Sequence, residues 1–150
     1  MRIFNDLDEF ARASGEVLGT SDWLAVEQER VNGFADATGD HQWIHVDVDR
    51  AKDGPFGGTI AHGHLTLSLL PVFLKQIYRV DGLRMAVNYG LNKVRFPAPV
   101  PVGSKLRATS RLVEVTPLDG AVQAVLSSTV EAAGVEKPVC VAESVVRYFG

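Results

Sequence analysis

The sequence predicts an α+β fold, with helices first and a meander of long antiparallel strands after them. Three observations lead there. Apolar residues recur at helical spacing between residues 6 and 38, a run from Leu65 to Tyr78 is apolar nearly all round, and from Met85 onward the period drops to two. A helix apolar on every side has to be buried, so the long helix is expected at the centre with the antiparallel sheet wrapped over it.

Asp6–Gly15 reads as a short helix. Asp6 caps it, Glu9 stands three residues on as in a capping box, Gly15 ends it, and Leu7, Phe10 and Ala11 form its inner stripe. Ser21–Val26 fits a short strand. Glu27–Thr38 is the next helix, with Val31, Phe34, Ala35 and Thr38 on one face and Gly39 as its stop. Asp47–Gly54 has room for a helical turn, and Pro55-Phe56-Gly57-Gly58 is a loop. Pro71 is expected to kink the long helix, because proline removes a backbone donor. Met85–Asn88 and Lys93–Phe96 are strand pieces around Gly90, and Pro97, Pro99 and Pro101 make an extended turn. From Ser104 to Val115, Leu106, Ala108, Ser110 and Leu112 alternate with Lys105, Arg107, Thr109 and Arg111, the pattern of a half-buried strand. Pro117-Leu118-Asp119-Gly120 is a turn, and Ala121–Ala132 and Pro138–Phe149 are two further long strands.

The chain has 150 residues, 46% hydrophobic and 22% charged, which fits one domain over residues 1–150 with a real core. Net charge is −3 and no basic run stands out, which argues against a nucleic-acid partner. No segment approaches the ~20 apolar residues of a membrane span. The N-terminus turns polar at once, unlike a signal peptide. The lone cysteine, Cys140, cannot form an internal disulfide; it reads as a small core residue and fits a reducing cytoplasm.

Chemistry concentrates in Ala37-Thr38-Gly39-Asp40-His41-Gln42-Trp43-Ile44-His45-Val46-Asp47. Asp40 and His45 are too far apart for one helical turn, but a loop curling back brings both to one point. A carboxylate accepts a proton, and an imidazole accepts, donates or orients near neutral pH. The plain alternative is an Asx-turn after Gly39 and a surface histidine. A second motif, Ile60-Ala61-His62-Gly63-His64, stands where the buried helix begins. A helix start exposes unpaired N–H groups, and Gly63 permits close approach, so Ala61, His62 and Gly63 are candidates for holding a carbonyl oxygen that gains charge. His62 and His64 with Asp40 and His45 also invite a metal reading; alternate residues at a helix start point in different directions and the spacing is not metal-like, so no metal is expected.

Thr38-Gly39-Asp40-x4-His45-x-Asp47, followed by Ile60-Ala61-His62-Gly63, resembles the MaoC-like dehydratases, and more narrowly the (R)-specific enoyl-CoA hydratases. Asn92-x-Val94-Arg95-Phe96-Pro97-x-Pro99-Val100 is similar to the same family. The resemblance implies the hot-dog fold. It implies Asp40 and His45 as the catalytic pair, an acyl-CoA thioester as substrate, no metal or redox cofactor, and a homodimer whose sites are lined by both subunits. The family often has Asn-Pro where this chain has Gln42-Trp43, so the loop must hold its shape differently. A hot-dog acyl-CoA thioesterase and a non-catalytic acyl-CoA-binding module are the alternatives. The short connection between the two motifs favours a site formed by both within one chain.

Overall fold

The computed structural model describes Met1–Gly150, and its elements run β1 (Arg2–Phe4), α1 (Leu7–Arg12), β2 (Val17–Thr20), β3 (Leu24–Ala25), α2 (Gln28–Thr38), α3 (Trp43–Val46), α4 (Val48–Lys52), α5 (Gly63–Ser68), α6 (Leu70–Ile77), β4 (Tyr78–Val80), β5 (Met85–Arg95), β6 (Lys105–Leu118), β7 (Ala121–Ala132) and β8 (Cys140–Phe149). Asp6 Oδ1 accepts from the Glu9 N–H at 2.7 Å, as a capping residue should, while the Glu9 carboxylate reaches back to Asn5 N at 2.7 Å.

The main sheet is antiparallel with order β2-β6-β7-β8-β5, and β3 lies beside β6. The alternation in β6 holds: Leu106, Ala108, Ser110 and Leu112 are fully buried. Strand β6 runs past Val115, because Pro117 pairs with Val122 and Leu118 with Ala121. The turn therefore shrinks to Asp119-Gly120, with Gly120 at φ 68°, where glycine has no steric penalty. Strand β5 is continuous rather than two pieces, and register shifts between Asn88 and Gly90 and between Leu91 and Lys93 take up the irregularity. Two elements carry too little pattern to be read from sequence: β2, and a parallel pair formed by β1 and β4. Only Leu24–Ala25 of the Ser21–Val26 segment is strand; Ser21 instead turns inward, its hydroxyl accepting from Ala108 N at 3.0 Å.

The central helix differs from expectation in two ways. It is not one kinked helix but two short ones that meet at Leu69. The Leu69 N–H is shared between the carbonyls of Leu65 at 3.1 Å and Thr66 at 3.2 Å, and α6 then restarts with Pro71 in its first turn. There a missing N–H loses no helical bond. Nor is the helix covered on all sides. Leu65, Leu69, Leu70 and Phe73 are buried against Leu106, Ala108, Val130, Val139 and Ala142, whereas Pro71 and Val72 are exposed. The reason is the count of strands. The sheet ends at β5, an edge strand bonded only to β8, whose Met85, Val87, Tyr89 and Leu91 are 51%, 44%, 59% and 48% exposed. No helix is long and apolar enough to cross a membrane.

Candidate active site

Helix α2 stops at Gly39, whose φ of 82° lets its N–H reach the Ala35 carbonyl at 2.8 Å and turns the chain sharply. Asp40 follows in the loop, exposed, with one carboxylate oxygen accepting from Gln42 N at 3.3 Å. So the Asx-type bond exists and coexists with a side chain facing the site. Where a proline would pre-set the turn, Trp43 opens the short helix α3 instead. The Arg50 guanidinium lies 4.3 Å from the Trp43 ring centre, and a Cβ at Gly54 would stand 3.0 Å from the ring, so the loop is held by packing on the indole.

His45 lies in α3 and is buried. Gln28, on the first turn of α2, donates to the His45 carbonyl at 2.7 Å and accepts from the Thr59 hydroxyl at 2.6 Å. The His45 ring is fixed from the other side: Nδ1 lies 2.6 Å from the Ile60 carbonyl. A carbonyl only accepts, so Nδ1 carries a proton, and in the neutral ring Nε2 is the nitrogen with the lone pair. The pairing brings the two motifs together within one chain. His62 stacks on His45 with centroids 3.8 Å apart and planes 24° from parallel, and the Phe34 ring meets it at 4.9 Å, tilted by 57°. By the same reasoning His62 Nε2 donates to the Asp40 carbonyl at 2.9 Å, leaving Nδ1 buried without a partner. One side-chain nitrogen or oxygen each from Asp40, His45 and His62 lies within 4.8 Å of the others. That trio invites a metal reading, but lone pairs lie in the ring planes, and two nearly parallel rings direct theirs side by side instead of at one point. His64 is exposed and turned toward Phe96 at 6.2 Å; it is outside the trio but lines the same cavity.

Of the three residues expected to hold a carbonyl oxygen, His62 and Gly63 keep backbone N–H groups that no backbone carbonyl takes. The Ala61 N–H is taken by the Val100 carbonyl at 2.8 Å, so Ala61 supplies cavity wall only. The His62 ring is committed to Asp40. Gly63 begins α5, where the first N–H groups have no helical acceptor. Its missing side chain is required by a neighbour: a Cβ there would meet the Phe96 ring at 2.9 Å. A cavity of about 250 Å³ opens between Asp40, His45, His62 and Gly63, walled by Phe34, Thr38 and Phe96. A second cavity of about 250 Å³ shares His45, Gly63 and Phe96 and adds Ala61, Thr66 and Val139. One helical turn beyond His64, an apolar groove of about 330 Å³ runs along α5 and α6 against β5 and β8, between Leu67, Leu70, Leu74, Leu91 and Val146. Gln28 had no signal of its own in the sequence, and Phe96 stood in the Asn92–Val100 motif without a role attached to it. Phe34 and Thr38 had one, since both were placed on the apolar face of α2.

The profile of the MaoC-like domain matches residues 9–134. The 3-hydroxyacyl-thioester dehydratase Z of Mycobacterium tuberculosis is 63% identical over 149 residues, covering 99% of both chains. Among solved structures, an Archaeoglobus protein described as a monoamine oxidase regulatory protein superposes with a TM-score of 0.78 at 24% identity, over 99% of this chain and 96% of its own. An (R)-hydratase of A. caviae involved in PHA biosynthesis superposes with a TM-score of 0.71 at 24% identity, over 87% of this chain and 95% of its own. The structural likenesses bear out the hot-dog fold, and with the profile match and the close relative in sequence they lead to one statement of kinship: the chain belongs to the family of MaoC-like dehydratases.

Proposed function

We propose that this hydro-lyase is an (R)-specific enoyl-CoA hydratase, adding water to a trans-2-enoyl-CoA to give the (R)-3-hydroxyacyl-CoA, and catalysing the reverse dehydration. The observation that carries the reading is the His45 tautomer. With Nδ1–H bound to Ile60, the Nε2 lone pair is free beside the Asp40 carboxylate. The two acceptors suit one water molecule with two O–H donors.

The chemistry runs as follows. The thioester carbonyl accepts the Gly63 N–H, which draws electron density from the conjugated double bond and makes the β-carbon electrophilic. Water held by Asp40 and His45 attacks that carbon. Asp40 takes the proton as general base while His45 orients the water. The C–O bond forms, the enolate oxygen leans on Gly63, and the proton Asp40 took from the water passes to the α-carbon as the enolate collapses, leaving Asp40 ionised again. Each step is a proton transfer or a charge shift onto fixed donors, so neither metal nor redox cofactor is needed. General acid–base help is worth about 10²–10⁴-fold and an oxyanion donor about 3 kcal/mol, so the rate rests on both parts. The apolar groove along α5 and α6 suits the acyl chain.

The exposed apolar side chains of β5 support a homodimer joined along that edge, since an unpaired edge strand of this kind is a template for another strand. An active monomer by light scattering at assay concentration would refute it.

The experiment is absorbance of crotonyl-CoA incubated with protein, alongside a thiol assay. Loss of the conjugated chromophore without free thiol, giving the (R) product and insensitive to EDTA, is the expected result. Free thiol would make the chain a thioesterase, and no change would make it a binding module.

A further inference from the structure

His62 is an imidazole in a place where packing alone calls for a phenyl ring. It is 4% exposed and packed against the His45 and Phe34 rings. Its Nδ1 finds no donor, and an unmade hydrogen bond at a buried acceptor is unfavourable. Phenylalanine would fill the same slot without that penalty. What imidazole adds is the Nε2–H bound to the Asp40 carbonyl at 2.9 Å. Asp40 has little else to fix it. It is exposed, it follows the left-handed Gly39, and its other contacts are long: its N–H meets the Thr38 hydroxyl at 3.4 Å and its carboxylate meets Gln42 N at 3.3 Å.

We propose that His62 is a positioning residue for Asp40: its Nε2–H clamps the Asp40 backbone, and its ring, stacked on His45, ties both members of the pair to the start of α5. The distance between the carboxylate and His45 Nε2 is thereby set by a side chain that bonds the Asp40 backbone and not its carboxylate. The loop carrying Asp40 and the helix carrying Gly63 are then registered against each other through one residue. This rests on the hydratase reading for its catalytic consequence, but not for the clamp itself.

Two variants separate the donor from the ring. His62→Gln keeps an N–H at the position of Nε2 and loses the stack; His62→Phe keeps the stack and loses the donor. Hydration of crotonyl-CoA, thermal melts and amide hydrogen exchange of residues 40–42 are measured for each. His62→Phe is expected to lower kcat by about 10²-fold with KM unchanged, the loss that follows ångström-scale misplacement of a reacting group. It should also speed exchange in the loop. His62→Gln should recover most of kcat and keep the exchange slow. Near-wild-type kcat in His62→Phe, or equal loss in both variants, overturns the proposal. So does His62→Phe failing to fold while His62→Gln folds, since His62 would then be a core residue. If the wild-type chain does not hydrate crotonyl-CoA, the hydratase reading falls, and the exchange rates still decide the clamp.

Discussion

The two ends of the broken central helix are built from the same material to different ends. At its far end Ile77 and Tyr78 enter an aromatic cluster: the Phe10 ring stacks on Tyr78 at 5.5 Å and meets Phe4 and Tyr148 edge-on, each at 5.3 Å. The Tyr78 and Tyr148 hydroxyls bond to each other, so no polar group there is left over. At the near end His62 stacks on His45, and Phe34 meets His62 at a tilt of 57°. Yet the His62 Nδ1 and His45 Nε2 lone pairs and the first N–H groups of α5 have no partner in the chain. Closed valences make one cluster a support. Open valences beside a cavity leave the other free to bind.

If the division is real, substitutions at the two ends separate stability from rate. The largest expected effect is at the closed end. Phe10→Ala removes a fully buried ring and should cost about 3–5 kcal/mol in a denaturant melt while leaving kcat of the folded protein unchanged. A parallel loss of kcat would erase the distinction. At the open end, Gly63→Ala puts a Cβ against Phe96 and should cost about 1–3 kcal/mol of overpacking strain. Adding Phe96→Ala should relieve it, so a double-mutant cycle read by thermal melts is non-additive; strict additivity would mean the ring is not the obstacle.

The smallest effect appears only at high pH and comes from Tyr78 and Tyr148 at the closed end and from Cys140 in the core cluster that holds Ala61 and Leu65. Burial pushes the Tyr148 hydroxyl up to about 12 and the Cys140 thiol up to about 11, and burial together with Tyr148 raises Tyr78 further. These are acids that hold their protons longer when folded. Their contribution is full below the unfolded values of 9.0 for cysteine and 10.0 for tyrosine, and is lost as pH rises toward the folded ones. Urea melts should thus be flat near neutrality with respect to these groups and weaken above pH ~9, and Tyr148→Phe should blunt the decline.

Much of this was legible in the sequence where local chemistry decides. The Asp6 cap, the Gly39 stop, the alternation of Leu106 to Leu112 and the Asp40-to-His45 spacing all act within a few residues. What was not legible depends on partners far along the chain. The parallel pairing of Arg2–Phe4 with Tyr78–Val80 has too few residues for a period. The break at Leu69 follows from a proline that restarts a helix instead of bending it. Ala61 looked like a free donor until Val100, distant in sequence, claimed its N–H. Nothing in the sequence says that the His62 ring turns back to the Asp40 carbonyl. Gln28 reaches His45 across 17 residues, a contact with no local signal.

The central claim is that the open end is a proton-transfer site made of Asp40 and His45. The measurement that tests it most directly is the kcat for hydration of crotonyl-CoA by Asp40→Asn and His45→Gln, with thermal melts beside it. Asp40→Asn keeps shape and loses the base; His45→Gln loses the imidazole. The account predicts a loss of at least about 10²-fold in each with the melting temperature little changed, in line with the worth of general acid–base catalysis. Hydration at a near-wild-type rate by either folded variant would contradict it.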